Sequence, residues 1–468
     1  MKAITKNKLL IIIILIGSFL RLYKLKETMH FIADQGWFYI SARDLIVSHI
    51  VPLVGITSSH TWLHQGALWT YILAILFKLT NFNPFIPAYF TAILDISTIF
   101  LVYFLGKELF SKRVGLLSSF FYAISPGVIL DARLSYHTSP IPFFTSILVL
   151  FIYRFLNGNK KYFPFIILIL AILYNFEIAT FSFDIAFIFF LFLGLITKQK
   201  WATNILDLKI LLKSIVAFAV PMIPMFFYDL HHGFPQTVKV VVWSVYKVAV
   251  LFGYPTVNPN FKGGESWTTW ATFLSELIRR IIFYSSFKVS LLIFFIVLFF
   301  IFYKTVIAIK NREKKLNLYL ISICFLVPAL GYISAKTNSA AYLLIFYPTF
   351  AIIIGYFWEN VFRIGILKFI LIILLVYLGF SNAKNLIKYE YIYPNSIQER
   401  IDISKKIISL SKNNKYNILG RGKASKYISF VTPYEYLTWW LGKGPSNTTQ
   451  KTRFYVSEYP DKIIVETK

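Results

Sequence analysis

Cysteine is nearly absent from this chain. The single one, Cys324, lies inside an apolar run, which excludes an intramolecular disulfide and a thiolate metal site. Acid is scarce as well: 21 Asp and Glu stand against 48 Lys and Arg. No set of acids is spaced for a divalent ion and no HExxH pattern accompanies the histidines, so no cofactor and no metal site is expected, a divalent cation being left open. The first apolar run, Leu9 to Leu20, follows Lys2, Lys6 and Lys8 but lacks a small-residue cleavage site, so it reads as an uncleaved first helix. The two halves of the chain show no internal repeat, unlike many transporters.

Apolar and aromatic residues are abundant. At 57% hydrophobic and 19% aromatic, the composition is too apolar for a soluble protein of any common architecture and predicts an all-α polytopic membrane protein. A formal net charge of +27 would suit a nucleic-acid binder. The basic residues, however, fall in short clusters between apolar runs, as orientation signals do. Membrane lipids or a lipid phosphate are the expected partners, and nucleic acid is not.

Beyond the first helix, candidate spans are Ala67 to Leu79, Phe85 to Leu105, Val114 to Leu130, Ile141 to Phe155, Phe163 to Tyr174 and Ala179 to Ile196. Further on they are Leu211 to Tyr228, Val289 to Ile309, Leu316 to Ile333, Ala340 to Phe357 and Ile364 to Phe380. Lysine and arginine mark alternate connections: Lys107, Lys112 and Arg113; Arg154, Lys160 and Lys161; Lys198 to Lys213; Lys304 to Lys315; Arg363 and Lys368. The intervening connections carry almost none. By the positive-inside rule the chain sits in the cytoplasmic membrane with its N-terminus inside and its C-terminus outside, after about 11–13 helices. One conflict remains, because the run Ala67 to Leu79 cannot cross once in this scheme. It is either re-entrant or wrongly bounded.

Residues 1–381 thus read as a transmembrane domain with long external segments at about 23–64 and 229–288, both able to form helices lying in the interface. After residue 381 the pattern changes to a helix at Ile397 to Leu410, a strand at Tyr416 to Leu419, a helix near Tyr427 to Leu441, and strands at Thr452 to Val456 and Lys462 to Val465. That alternation predicts a small α/β domain over 382–468 on the outside. Asn447 begins an Asn-Thr-Thr sequon within it.

Under this orientation five polar clusters meet one membrane face: Asp34 with Gln35 and Arg43; His60 and His64; Asp131, Arg133, Tyr136 and His137; Asn175 and Glu177; Asp229, His231 and His232. Carboxylates beside Arg and His can deprotonate a hydroxyl and hold a departing phosphate. Each residue also has a plainer reading. Asp34 or Asp131 can cap a helix, Arg133 can snorkel, the histidines can be ordinary interfacial residues, and Glu177 can sit at a wet hinge. Asp95 and Asp184 fall within apolar spans, where an ionisable side chain is costly. The sequence names no partner for Asp95.

Ordered blocks of the chain resemble a known family. ADQGWFYISAR, beginning at Ala33, resembles the acid-bearing first external loop of the C-type membrane glycosyltransferases, in particular glycosyltransferase family 39 with its protein mannosyltransferase and aminoarabinose transferase relatives. LHQGALWTYILAILFKL, the block from Leu105 to Phe144, FFYDLHHGFPQT and AAYLLIFYPTFAIIIG are similar to later blocks of that family, in its order. Two departures stand out: Gln35 replaces a second acid, and His64-Gln65-Gly66 replaces His-Pro-Pro. The resemblance implies transfer of a sugar, with inversion, from a polyprenyl-phosphate donor to a hydroxyl of an acceptor lipid, glycan or protein at the outer face. Asp34 would be the catalytic base. Gln35, Arg43, His60, His64, Asp131, Arg133, His137, Glu177, His231 and His232 would bind substrate. A lipid-linked sugar flippase, or an oligosaccharide polymerase or ligase, is the alternative.

Overall fold

A computed structural model describes residues 8–58, 62–203, 205, 207–251, 254, 287–311, 315–335, 340–362, 367–389, 396–459 and 462–467. His60 and most of the segment 229–288, expected to be external, lie outside these residues, as do Lys336 and Arg363. The chain is a polytopic helical membrane protein with a small C-terminal sheet. Among the described residues, Ile86–Leu109, Ile178–Ile196, Leu208–His232, Leu291–Lys310 and Ala341–Val361 are long and apolar enough to cross a bilayer. Four shorter apolar helices accompany them, Leu68–Leu79, Ile141–Leu156, Leu316–Tyr332 and Ile372–Lys384.

Against the about 11–13 crossings expected, several runs form helices shorter than one crossing needs, among them Lys8–Leu22, Ile141–Leu156 and Phe163–Phe176 at 15, 16 and 14 residues. Two runs take a different form. The run Ala67 to Leu79 is a 12-residue helix, Leu68–Leu79. At about 1.5 Å per residue it is too short to cross a core of roughly 30 Å alone. The run Val114 to Leu130 is broken into Lys112–Ile124 and Pro126–Ala132, which meet at 65°. Proline supplies no N–H and disfavours helical backbone in the residue before it, and Ser125 is accordingly extended.

That break leaves helix-end carbonyls in need of donors, and a buried arginine supplies them. Arg21 Nη1 donates to Ala123 O at 2.9 Å and to Gly17 O at 3.1 Å. Its Nε donates to Asp95 Oδ2 at 2.6 Å, and the Tyr122 hydroxyl donates to Asp95 Oδ1. Asn382 Nδ2 donates to Ile124 O at 3.3 Å. The partner of Asp95 is therefore Arg21, and one ion pair ties the helices Lys8–Leu22, Ile86–Leu109 and Lys112–Ile124 together. Lys112–Ile124 also packs against Tyr347–Val361. There a Cβ on Gly355 would stand 2.2 Å from Ser118 Oγ, the close helix approach that small residues allow in membranes.

The helix Leu367–Tyr389 runs through Asn382 before the C-terminal sequence begins. The helix Ile397–Leu410 starts at Ser396, whose Oγ accepts from Glu399 N. Three strands follow: β1 (Tyr416–Arg421), β2 (Thr452–Glu458) and β3 (Ile463–Thr467), ordered β1-β2-β3. β1 and β2 are parallel, with Tyr416 opposite Thr452, whereas β2 and β3 are antiparallel. A parallel pair needs a crossover, and the helix Thr432–Trp440 lies within it. Tyr416, Ile418, Tyr434, Phe454 and Val456 form the buried core of this unit.

The C-terminal unit is set into the helical body. Tyr436 and Leu437 are buried in the main apolar cluster. Tyr436 stacks on Phe77 at 5.5 Å and donates its hydroxyl to Phe82 O at 2.8 Å. Thr432 Oγ1 donates to Ala33 O at 2.7 Å, and a Cβ on Gly36 would fall 2.3 Å from Pro433 N, a backbone atom that cannot step aside. Gly36→Ala is expected to loosen the C-terminal unit, seen as several-fold faster limited proteolysis between the two parts; an unchanged digestion course would contradict this packing.

A second tie joins the two parts at His30, which pairs with Ser396, and at Met29, whose carbonyl accepts from Ile397 N at 2.9 Å. Burial first, then the charges of Arg400 and Arg133, lower the His30 pKa from 6.5 to about 4. Between those values the unfolded chain binds a proton that the folded one refuses, so stability falls as pH drops from about 6.5 towards 4. His30→Gln is expected to flatten that part of the curve of thermal midpoint against pH.

Candidate functional site

Asp34 is the second residue of the helix Ala33–Val47, where the positive end of the helix dipole favours a carboxylate. The capping contact there belongs to Gln35, whose Oε1 accepts from Ile32 N at 2.7 Å. Asp34 instead accepts two hydroxyls, Tyr136 at 2.9 Å on Oδ2 and Ser429 at 2.9 Å on Oδ1. The fully buried Gln35 donates from Nε2 to Ser135 Oγ at 2.9 Å, and Tyr39 OH meets the same Oγ at 2.7 Å. The Ala33–Val47 helix is thereby locked against the 133–140 segment.

From Tyr136 the polar chain continues inward. Its ring lies 4.2 Å from that of His137, and His137 Nε2 stands 3.5 Å from Glu177 Oε2. Glu177 occupies an extended joint between the helix Phe163–Phe176 and the short 3-10 turn Ile178–Thr180. Its Oε1 accepts from Gln65 Nε2 at 3.1 Å, while Gln65 Oε1 accepts from Ile178 N at 3.1 Å. One amide thus spans the helix break and satisfies both of its groups. His137 is buried, and its Nδ1 meets no partner among the described residues. Burial, then the charge of Asp34, pushes the Tyr136 pKa well above its usual value, so its phenol remains a donor to Asp34 at neutral pH.

A second group lies around His64. Its backbone N donates to Gln236 Oε1 at 2.9 Å, Nδ1 faces Gly55 O at 3.2 Å, and Tyr228 OH lies 3.5 Å from Nε2. Tyr228 stacks on His232 at 4.0 Å. Asp229 accepts from Gln236 N at 2.6 Å and from the Thr237 hydroxyl. Burial lowers the His64 pKa, and the nearby His232 adds to that. His231 is exposed.

The remaining expected residues contact other groups. Arg43 donates to its neighbour Asp44 at 2.8 Å and lies over the Trp439 ring at 5.2 Å. Arg133 donates to Leu20 O at 3.1 Å and to Thr28 Oγ1. Asp131 accepts from Tyr347 OH at 2.5 Å. The structure therefore joins Asp34, Gln35, His137 and Glu177 through Ser135, Tyr136 and Gln65, and sets His64 and His232 beside them as a second group. Ser429 and Gln65 were not among the expected residues. Gln65 carried a signal, as part of the departure from His-Pro-Pro. Ser429 carried none, since it reaches Asp34 across 395 residues of chain. Among the described residues no group of three or more His, Cys, Asp or Glu is arranged to hold a metal ion.

This polytopic helical body with its small C-terminal sheet shares its fold with solved proteins that include ArnT and an archaeal oligosaccharyltransferase. Residues 64–224 match the family model described as dolichyl-phosphate-mannose-protein mannosyltransferase. That match begins after Asp34. Among solved structures, ArnT from Cupriavidus metallidurans bound to undecaprenyl phosphate is similar at 12% identity and a TM-score of 0.58, over 96% of this chain and 92% of that one. The oligosaccharyltransferase of Archaeoglobus fulgidus is similar at 14% identity and a TM-score of 0.57, over 92% of this chain. This chain spans 63% of that enzyme's length. The oligosaccharyltransferase AglB from Archaeoglobus fulgidus in complex with an inhibitory peptide and a dolichol-phosphate is similar at 14% identity and a TM-score of 0.55, over 93% of this chain and 64% of that one. At these identities the likeness is one of fold. No curated protein matches.

Proposed function

We propose that this chain is a membrane glycosyltransferase that moves a sugar from a polyprenyl-phosphate donor to a hydroxyl of a lipid, glycan or protein at the outer face of the cytoplasmic membrane. The observation that carries the reading is the setting of Asp34, a carboxylate that already accepts a hydroxyl, that of Ser429, at 2.9 Å. That is the reach a general base needs towards the proton it removes. In this mechanism the acceptor hydroxyl takes the place of Ser429 on Oδ1, while Tyr136 holds Oδ2 and keeps the carboxylate oriented. Asp34 takes the proton as the acceptor oxygen bonds to the anomeric carbon. The bond from that carbon to the phosphate oxygen breaks on the opposite side, so the configuration inverts and the polyprenyl phosphate departs. His137, with its unpartnered Nδ1 beside Tyr136, binds the donor.

The match over residues 64–224 to a family named for a dolichyl-phosphate-linked donor supports this reading, as does the fold shared with proteins solved with undecaprenyl phosphate and dolichol-phosphate. Its test is stereochemical. Purified protein given polyprenyl-phosphate sugars of known anomeric configuration is expected to yield a glycoside of inverted configuration. A product of retained configuration would overturn direct attack by an acceptor activated at Asp34.

A further inference from the structure

The C-terminal unit holds a cavity of about 310 Å³ between β1, the 445–449 segment and the helix Thr432–Trp440. This is the lower end of the range for small-molecule sites, roughly 300–1,000 Å³. Its wall is pre-formed. Asn417 Nδ2 donates to Ser446 O at 2.9 Å and to Thr448 O at 3.1 Å, while its Oδ1 accepts from Gln450 N at 2.6 Å. Its lining combines the apolar Leu419 and Pro445 with Glu435, Asn447, Thr449 and Arg453.

Two of those groups have hydrogen-bonding capacity that the described residues leave unused. The Glu435 carboxylate is partly buried and meets no hydrogen-bond donor among the described residues; burial raises its pKa and the charge of Arg43 opposes the rise. Arg453 commits Nε to Gln450 O at 3.2 Å, and its two Nη groups meet no acceptor among the described residues. Both groups are only partly buried, so a ligand entering the cavity can reach them, and one that supplies both donors and acceptors would satisfy them. The two charges cancel, which favours a neutral ligand. A pyranose fits: adjacent hydroxyls donate to the carboxylate, ring and hydroxyl oxygens accept from the guanidinium, and the C–H face lies on Leu419 and Pro445.

The cavity's position points to the role. Glu435 follows Ser429 by two turns of the same connection, and Ser429 touches Asp34. We infer that this cavity holds a neutral pyranose of the acceptor, so that the acceptor is a glycan; this rests on the glycosyltransferase reading above.

Full-length protein in detergent, titrated with methyl glucoside, galactoside, mannoside and N-acetylglucosaminide, tests the inference by saturation-transfer NMR. At least one glycoside is expected to bind the wild type. Glu435→Gln and Arg453→Gln, each checked for an unchanged thermal midpoint, are each expected to weaken that binding by about tenfold or more. Methyl glucuronide, which brings a charge to Glu435, is expected to bind more weakly than the glucoside, a comparison that needs no variant. No binding by any glycoside, unchanged binding in a folded variant, or equal binding of the glucuronide overturns the assignment. A wild type that consumes polyprenyl-phosphate sugar but binds no glycoside defeats the cavity alone. One that binds glycosides but consumes no donor defeats the glycosyltransferase reading instead.

Discussion

Asp34→Asn is expected to lower sugar transfer by about 10²–10⁴-fold, the usual contribution of a positioned general base. The substitution keeps size and shape, and an amide oxygen can still accept from Tyr136 or Ser429, so the helix Ala33–Val47 and its contact with the C-terminal unit should persist. What is lost is the ability to take a proton. The fall should appear in kcat, with the KM for the donor changed much less, and with a wild-type thermal midpoint. A variant with wild-type kcat would remove Asp34 from the mechanism.

The largest effect on stability is expected at Asp95→Ala. Arg21 is fully buried, and its Nε bond to Asp95 at 2.6 Å is its one ion pair among the described residues. Removing the carboxylate leaves a guanidinium inside the helical body without a counter-charge and deprives the Tyr122 hydroxyl of its acceptor. Breaking a buried pair from one side costs about 3–5 kcal/mol, against roughly 0–1 kcal/mol for an exposed pair. Replacing both partners, Arg21→Met with Asp95→Leu, should restore much of the loss, because the unpaired charge goes with the pair. Recovery should be incomplete, since Arg21 also serves the Ala123 carbonyl at the helix break. Thermal unfolding in detergent reads both variants. A single Asp95→Ala variant as stable as the wild type would mean that the pair does not hold these helices.

Local periodicity made much of this fold legible. The helix Ile397–Leu410 lies where its apolar spacing puts it, β1 and β2 run on past the expected Leu419 and Val456 to Arg421 and Glu458, and β3 is shifted from the expected Lys462–Val465 to Ile463–Thr467. Five of the long apolar runs likewise became helices long and apolar enough to cross a bilayer, an outcome that length and composition decide. The bend at Ser125 was readable in principle, since Pro126 sits inside the run. The apolar run masked it.

Pairings between distant segments were not legible. Arg21 lies 74 residues before Asp95, and Ser429 lies 395 residues after Asp34. No period or motif links such positions. The same holds for the candidate site, where the expected clusters around Asp34, His137 and Glu177 meet through Gln65, Ser135 and Tyr136. The contact of Arg133 with Leu20 depends on where the helix Lys8–Leu22 ends, which composition does not record.

The central claim, that this fold carries out sugar transfer through Asp34, is tested most directly by the fate of one donor. Wild type and Asp34→Asn, each purified and placed in proteoliposomes with a labelled polyprenyl-phosphate sugar and a mixed acceptor extract, should differ in donor consumption. The wild type is expected to consume the donor and pass its label to an acceptor, while Asp34→Asn leaves the donor intact. Donor that crosses the bilayer unconsumed, or is consumed equally by both proteins, would contradict the claim.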